Sequence, residues 1–535
     1  MRTIAISEFF EKNRHLLGFD NPQKSLITVV KEGVDNALDA CEEAKILPDV
    51  LVQIDQVSDS RFKIIIQDNG PGILKQHIPR VFGKLLYGSK FHRLRQSRGQ
   101  QGIGISASVL YAQLTTGKPT TIYSSTSKRD KLHMYQLHID TSKNEPEITK
   151  EELLDNGFDH GTRIEMEIEG KYLQSHHSPY EYLRQVAIIN PSADLTYIEP
   201  DGNRIHYKRA VHKLPKMPKQ IKPHPHGVEL GILIRMLKNT KARTIGSFLS
   251  TEFCRMGAKS IADVCKMAQV EKTIQPRRIS RDEADRLMQS LQQTRIMAPP
   301  TDCLSPIGKD ALIKGLKKEI SAEFITAVTR PPAVYRGYPF QIEAGIAWGG
   351  EVESEGQAKI MRYANKVPLL YQKSACSSTK SVAETNWKRY GLNQTGGRGI
   401  PTGPIVIAVH MASVWVPFTS ESKEAVANYP EIIDEMKLAL QECGRQLGGH
   451  IRAKYRAREK LMKKNTVLRY APEIAAALNA LTKKPESKIL KDLDSLIENK
   501  FGKIDLEELS RKLNDDEDDN IEEFEEGSNA EETKA

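Results

Sequence analysis

The chain has 535 residues, a net charge of +9 at pH 7, 39% hydrophobic residues and 27% charged residues. This length exceeds what one hydrophobic core usually organises, so about three or four domains are expected. No run of about 18 apolar residues occurs, and the opening residues are too polar for a secretory signal. The composition therefore argues against a membrane or exported protein and predicts a cytoplasmic one.

The positive charge is distributed unevenly along the chain. Residues 515–535 contain eleven acidic residues and one lysine, which leaves about +19 on residues 1–514. A body this basic favours a polyanionic partner, most simply nucleic acid, although a well-solvated surface has the same composition. The acidic run itself is typical of a disordered tail.

The cysteines do not follow a metal-binding or disulfide pattern. No CxxC pair and no neighbouring histidine cluster is present, so buried thiols are expected. The six cysteines are Cys41, Cys254, Cys265, Cys303, Cys376 and Cys443.

The first informative element is a predicted helix around the sequence EGVDN. Its apolar residues recur at helical spacing: Leu26, Ile27, Val30, Val34, Ala37, Leu38 and Cys41. Glu32 and Asn36 lie four residues apart and therefore project from one side of this helix. A carboxylate near a phosphate can take a proton from water, and an amide oxygen can complete the coordination shell of Mg²⁺. An ordinary solvated face is the alternative, because polar pairs at this spacing are common.

The second element is a strand that ends in a glycine-containing turn. Phe62 to Gln67 is a β-branched run, and Asp68-Asn69-Gly70-Pro71-Gly72 follows it directly. Two glycines allow another group to approach the backbone closely, and a buried carboxylate at residue 68 could accept a hydrogen bond from an exocyclic amine. A plain turn is the alternative, since these dipeptides are routine in turns.

The third element is the loop RGQQGIG (Arg98 to Gly104), which precedes a predicted helix, ISASVLYAQ. Backbone N–H groups at such a helix start can bind phosphates. The loop lacks the Lys-Ser/Thr ending of a P-loop and follows a basic stretch rather than a strand, so the P-loop and dinucleotide fingerprints both fail.

Alternating helix and strand patterns predict a nucleotide-binding domain over residues 1–220, followed by a proline-rich basic linker from Lys213 to His226. Residues 227–305 read as a helical module with basic loops, which could contact DNA or serve as a structural spacer. Its basic loop residues are Lys238, Lys241, Arg243, Lys259, Lys272, Arg277 and Arg278.

Strands return after residue 306. Long β-rich runs are predicted at 339–350, 359–371 and 403–418, and a helix of more than thirty residues begins near Pro430. That helix would be roughly 50 Å long if Gly448 and Gly449 do not break it. We assign residues 306–470 to one domain, 471–512 to a C-terminal helical segment and 513–535 to the acidic tail.

Read together, the three N-terminal elements and the Gly161-Thr162 pair that begins another strand resemble the Bergerat ATP-binding fold of the GHKL superfamily. The resemblance implies that Glu32 is the general base for the attacking water, that Asn36 binds Mg²⁺, and that Asp68 reads adenine. The remaining ATP-binding residues it implies are Gly70, Gly72, the lid residues Ser89 and Lys90, the loop residues Arg98, Gly99, Gln100, Gln101, Gly102, Ile103, Gly104 and Ile105, and Thr162.

Segments in the rest of the chain resemble the B subunits of type IIB DNA topoisomerases (topoisomerase VI). These segments are NPSA (Asn190 to Ala193), RYANKVPLLY (Arg362 to Tyr371), WKRY (Trp387 to Tyr390) and VPFTSESKEAVA (Val416 to Ala427). The resemblance implies an α+β multidomain architecture: a GHKL α/β sandwich, a helix-two-turn-helix insert, and an α/β transducer domain with a long C-terminal helix. It also implies that Lys423 is a transducer lysine that contacts the γ-phosphate.

The same resemblance implies a function. ATP binding and hydrolysis would dimerise and release the chain, and so gate the passage of one DNA duplex through a break made by a separate A subunit in an A2B2 heterotetramer. Such an enzyme relaxes supercoils and decatenates DNA. The resemblance further implies an archaeal-type enzyme that is associated with the nucleoid in the cytoplasm. Nothing in this chain resembles the cutting tyrosine or the Toprim domain of the A subunit.

Other functions share parts of this pattern. A MutL-like repair ATPase or an Hsp90-like chaperone would share the first two hundred or so residues, whereas a histidine kinase needs a phosphoacceptor helix for which the N-terminus has no room. A DNA-bound clamp that binds ATP without turnover is a further alternative. Trp387, Lys388 and Arg389 form a basic-aromatic cluster that could contact DNA or pack within the domain.

Overall fold

The computed structural model describes residues 5–88, 94–99, 102–128, 131–155, 157–175, 177–420 and 422–502. Ser89, Lys90, Gln100, Gln101 and the acidic tail therefore lie outside the described residues.

The N-terminal part of the chain forms an eight-stranded mixed sheet covered by helices. The elements are α1 (Ile6–Lys12), α2 (Pro22–Glu43), β1 (Asp49–Ser58), β2 (Arg61–Asp68), α3 (Ile78–Gly83), α4 (Gly104–Thr116), β3 (Thr120–Ser125), β4 (Leu132–Asp140), β5 (Glu145–Leu154), β6 (Gly161–Glu169), α5 (Pro179–Ile189), β7 (Asp194–Ile198) and β8 (Arg204–Tyr207). The strand order is β5-β4-β3-β6-β2-β1-β7-β8. The predicted helix and strand are present as α2 and β2, and the helix predicted after the glycine-rich loop begins at Gly104.

Local sequence explains why α2, which carries Glu32 and Asn36, begins where it does. The Asn21 side chain accepts a hydrogen bond from the Lys24 N–H, and Pro22 occupies the first helical position. Both features favour a helix start. In β1 the alternate residues Val50 and Val52 are buried, so one face of the sheet packs against helices.

A helical module follows the sheet. It consists of α6 (Leu230–Asn239), α7 (Ile245–Glu252), α8 (Ala258–Ala268) and α9 (Arg281–Gln293), in agreement with the helical character expected there. The module has its own apolar core, in which Leu233, Phe248 and Leu287 are fully buried. A capping box between Ser280 and Glu283 begins α9.

The third part of the chain is a second sheet with helices. Its elements are α10 (Lys309–Glu319), β9 (Phe324–Thr329), β10 (Ala333–Tyr335), β11 (Tyr338–Trp348), β12 (Lys359–Ala364), β13 (Val367–Pro368), α11 (Ser377–Glu384), β14 (Ile405–Ser413), α12 (Pro430–Thr482) and α13 (Glu486–Phe501). The strand order is β10-β11-β14-β12-β13, and β9 also pairs with β11. Every residue of β14 is buried, which explains its continuous apolar run.

The predicted β-rich run at 359–371 is not one strand. Asn365 and Lys366 both have positive φ, 48° and 66°, so the chain reverses there and β13 pairs antiparallel with β12. The apolar pattern continues across the turn, and for this reason the sequence did not reveal it.

The long helix is uninterrupted at Gly448 and Gly449. α12 has 53 residues, which corresponds to about 80 Å, and it is followed by α13. Gly448 permits close packing, because a β-carbon there would lie 3.3 Å from the Cα of Tyr390. Helical order thus extends well beyond the thirty or so residues expected.

All six cysteines are buried and free. The described residues contain no cluster of His, Cys, Asp or Glu arranged to hold a metal ion. Within the same ranges, no helix combines the length and the apolar character that crossing a bilayer requires.

Candidate nucleotide site

A cavity of about 670 Å³ lies over α2, the end of β2 and the start of α4. The predicted site residues that line it are Glu32, Asn36, Asp68, Gly72, Gly99, Gly102, Ile103, Gly104, Ile105, Thr162 and Lys423. Residues from three elements predicted independently, and a lysine more than 300 positions further along the chain, therefore meet around one space.

Glu32 and Asn36 lie on the cavity side of α2, as their spacing predicts. Among the described residues, no hydrogen bond or ion pair engages the side chain of either one. The Glu32 carboxylate packs against the first residue of α4, since a β-carbon on Gly104 would lie 1.7 Å from its Oε2. A carboxylate and an amide thus face the cavity four residues apart, and neither has a hydrogen-bond partner within the part of the chain that the structure describes.

Asp68 is held by the backbone at the end of β2. Its Oδ1 accepts hydrogen bonds from the N–H groups of Gly70 (2.8 Å) and Thr162 (3.3 Å). Burial raises the pKa of Asp68 to about 6, although these two hydrogen bonds act in the opposite direction. Its Oδ2 has no hydrogen-bond partner among the described residues, so one acceptor atom remains for a ligand.

The register of the sheet explains why Asp68 and Thr162 meet. β2 and β6 are antiparallel, and Asp68 pairs with Thr162. Gly72 completes the turn with a φ of 68°, and a β-carbon there would lie 2.0 Å from the carbonyl oxygen of Ser125. Gly70 does not line the cavity; it acts through its N–H on Asp68.

The glycine-rich loop reaches the cavity at Gly99 and again from Gly102 to Ile105, where α4 begins. Arg98 is different. Its guanidinium is buried in ion pairs with Asp39 (2.9 Å) and Glu42 (2.6 Å) and does not line the cavity. The resemblance implied that Arg98 contacts the phosphates. In the structure its side chain instead pairs with two carboxylates of α2 that do not line the cavity.

Lys423 enters the cavity from the loop after β14. Its Nζ lies 3.5 Å from the backbone oxygen of Arg98, within hydrogen-bonding distance. Burial lowers the pKa of this lysine, and the nearby Glu32 carboxylate acts in the opposite direction. A cation from the third part of the chain therefore lies close to the proposed base and to the glycine-rich loop.

Sequence reasoning missed several residues around the cavity. Lys24, Lys31, Tyr371 and Glu424 also line it. Asp35 lies beneath it, where burial raises its pKa to about 7 and its carboxylate accepts a 3.2 Å hydrogen bond from the Tyr182 hydroxyl. Asp35 belongs to the EGVDN segment, but its helical position turns it inward, and nothing in the local sequence identifies its partner.

The fold and the cavity define an ATPase of the GHKL class, and comparison with known families agrees. Residues 24–165 match the family model described as histidine kinase-, DNA gyrase B- and HSP90-like ATPase, and residues 299–464 match the topoisomerase VI B subunit transducer. The chain belongs to the family of type 2 DNA topoisomerase 6 B subunits.

Curated relatives carry that name. The protein of Archaeoglobus fulgidus is 54% identical over 456 residues, covering 85% of this chain and 75% of the relative. That of Methanococcoides burtonii is 50% identical over 478 residues, covering 89% and 77%. That of Pyrococcus horikoshii is 38% identical over 554 residues, covering 94% and 96%. The similarity thus extends well beyond the ATPase domain.

Proposed function

We propose that this chain hydrolyses ATP at the cavity and uses the cycle to gate DNA passage by a type IIB topoisomerase. In this proposal Glu32 accepts a proton from the attacking water. Asp68 accepts a hydrogen bond from the adenine amine through Oδ2. The N–H groups from Gly102 to Ile105, at the start of α4, compensate phosphate charge.

The residues also fit a magnesium ion. Mg²⁺ is usually bound by one or two protein oxygens together with phosphate oxygens and water. The Asn36 amide oxygen lines the cavity and has no hydrogen-bond partner among the described residues. Asn36 would hold the ion, which neutralises developing charge on the phosphates during transfer.

Lys423 connects hydrolysis to the rest of the molecule. The position of this lysine is the observation that carries the proposal. Its side chain extends from the transducer part of the chain to the Glu32 side of the cavity. The lysine ammonium is attracted most strongly to the nucleotide when the terminal phosphate is present. The nucleotide state can therefore shift the equilibrium position of the transducer.

The remaining parts of the proposal concern partners. We infer that ATP binding dimerises the chain and that an A subunit joins it in an A2B2 heterotetramer, in the cytoplasm and on chromosomal DNA. The A subunit cuts one duplex, and ATP-driven closure passes a second duplex through the break. The strongly basic body supports a DNA partner.

The decisive test measures ATP turnover and binding in the Glu32→Ala variant. We expect turnover to fall at least about a hundredfold while ATP binding persists, because a general base contributes to the chemical step. Glu147→Ala, on an exposed position of β5, is the matched control and is expected to keep normal turnover. Near-normal turnover of Glu32→Ala would refute the assignment of the base.

A second measurement separates a topoisomerase from an ATP-binding clamp. The unmodified chain is assayed for DNA-stimulated ATP hydrolysis and supercoil relaxation, with and without a co-purified subunit that bears the cutting tyrosine. Relaxation that requires both subunits and ATP supports the proposal. ATP binding with no turnover under any of these conditions would instead indicate a clamp.

A further inference from the structure

Lys423 is held in place by its neighbours. Its backbone has a φ of 54°, in the left-handed region that residues with side chains seldom adopt. Such a conformation persists only where the surrounding structure determines it. The residues on either side of Lys423 provide that support.

Both flanking residues are fixed to one face of α2. The carbonyl of Ser422 accepts a hydrogen bond from the Lys31 ammonium at 3.4 Å, and the Glu424 carboxylate lies 2.5 Å from the Lys24 ammonium. Lys24 and Lys31 are seven residues apart and therefore share a helix face. The loop that carries Lys423 is thus attached to α2 before and after the lysine.

The ion pair between Lys24 and Glu424 is the stronger of the two attachments. Only 11% and 8% of the two side chains are exposed, so solvent screens their attraction weakly. Lys24 also pairs with Asp20, and its Nζ lies 5.3 Å from the centroid of the Tyr371 ring. Tyr371 and Glu424 both come from the transducer part of the chain, which therefore contacts Lys24 at two points.

We propose that Lys24 and Glu424 are positioning residues that hold Lys423 at the terminal phosphate. The pair joins α2, which carries the base Glu32 two turns further along, to the loop that carries the cation. Its role is to keep base and cation in one arrangement during hydrolysis. This inference rests on the proposed role of Lys423.

The test is a double-mutant cycle with Lys24→Gln, Glu424→Gln and the variant that carries both. We expect each single variant to lower kcat about tenfold while KM for ATP changes less than about threefold, because misplaced groups impair chemistry more than binding. The double variant should be no slower than the slower single variant, since the two residues act through each other.

Two results would overturn the inference. The first is a decrease in kcat of the double variant that equals the product of the two single decreases, which would show that the residues act independently. The second is a normal kcat in the double variant. Because this variant removes both charges of the pair, it leaves neither of them buried and unpaired, and it is expected to fold even if the single variants do not. Lys63→Gln is the matched control, because it breaks the 2.8 Å pair between Lys63 and Glu165 on the sheet, and neither residue lines the cavity. It should leave kcat unchanged.

Lys423→Ala, measured in parallel, separates this inference from the proposed function. If Lys423→Ala loses kcat and the Lys24 and Glu424 variants do not, the positioning role is refuted and the role of Lys423 stands. If Lys423→Ala keeps normal kcat, the proposed function of Lys423 fails first.

Discussion

Gly104 begins α4 directly against the Glu32 carboxylate, and a β-carbon at residue 104 would lie 1.7 Å from Oε2. Gly104→Ala must therefore displace the carboxylate or the helix start. We expect ATP turnover to fall at least about tenfold with a smaller loss of nucleotide affinity, because the base moves relative to the phosphate. Steady-state kinetics and a binding titration with a non-hydrolysable ATP analogue would measure the two effects.

Gly231→Ala is the control for that experiment. Gly231 lies in α6, and a β-carbon there meets no atom within 4 Å. Replacing a helical glycine by alanine at an open position is neutral or slightly stabilising. Equal losses of turnover in the two variants would show that proximity to Glu32 is not the cause.

Asp68 gives a pH dependence to nucleotide binding. Burial raises its pKa to about 6. Because two backbone N–H groups occupy Oδ1, a proton taken up below this pH is expected on Oδ2. Below pH 6 the proposed adenine acceptor becomes a donor. Affinity for ATP should therefore fall by up to about tenfold per pH unit below 6 and stay level above 7.

Asp68→Asn resembles the protonated state and is the comparison for this prediction. We expect it to bind ATP weakly across the same pH range, without the change near pH 6. Calorimetric titrations of both proteins at several pH values would distinguish them, since protonation of ATP itself is common to both. Parallel pH profiles would argue against Asp68 as the adenine reader.

Lys423→Ala should lose hydrolysis and strand passage more than nucleotide affinity. The lysine contacts the backbone oxygen of Arg98 and interacts with the charge of Glu32, whereas Asp68 is held by the N–H groups of Gly70 and Thr162. Adenine contacts are therefore expected to remain intact. We expect the dissociation constant for an ATP analogue to change less than about fivefold while supercoil relaxation with the A subunit is lost. Unchanged relaxation would refute a role for Lys423 in transmitting the nucleotide state.

The structure also shows how far a sequence can define such a site. Glu32, Asn36 and Asp68 were found from helical spacing and from a strand that ends in a glycine turn, because these signals are local. The ion pairs of Arg98 and the pair between Lys24 and Glu424 join segments far apart in the sequence, and periodicity contains no information about them. The register that joins Asp68 to Thr162 is likewise set by the whole sheet.

The same distinction applies to the fold. Strongly periodic elements such as α2 and β2, and the helical character of residues 227–305, were predicted correctly. The turn at Asn365 and Lys366 was missed, because apolar residues continue on both sides of it. It forms because β12 and β13 pair with each other, and Asn365 also donates a hydrogen bond to the backbone oxygen of Ser97.

Arg98 is predicted to stabilise the folded chain through its buried ion pairs. Although burial opposes ionisation of Glu42, the charges of Arg98 and Lys366 keep the pKa of Glu42 below its usual value. Arg98→Met removes the cation that pairs with two largely buried carboxylates, Asp39 and Glu42, so it should cost about 3–5 kcal/mol. A fall in the thermal midpoint of unfolding would measure this.

Lys118→Gln is the control for Arg98. It breaks a pair with Glu167 in which half of the lysine side chain is exposed, and such pairs contribute about 0–1 kcal/mol. A midpoint for Arg98→Met that is no lower than that of Lys118→Gln would contradict the stabilising role.

The WKRY segment divides into a packed part and an exposed part. Trp387 is fully buried in the second sheet's core, and its indole N–H donates a 2.8 Å hydrogen bond to the carbonyl of Val382. Lys388 and Arg389 are exposed on the surface. Packing therefore accounts for the tryptophan, and DNA contact remains a prediction for the two cations only.

That division predicts opposite results for two variants. Trp387→Ala should lower stability by about 3–5 kcal/mol, because it empties a large buried volume. The variant that carries both Lys388→Ala and Arg389→Ala should keep its thermal midpoint and bind duplex DNA more weakly. The dependence of its DNA affinity on salt concentration should decrease by an amount that corresponds to at most about two phosphate contacts. Binding titrations at several salt concentrations test this. An unchanged salt slope with unchanged affinity would show that the exposed cations do not contact DNA.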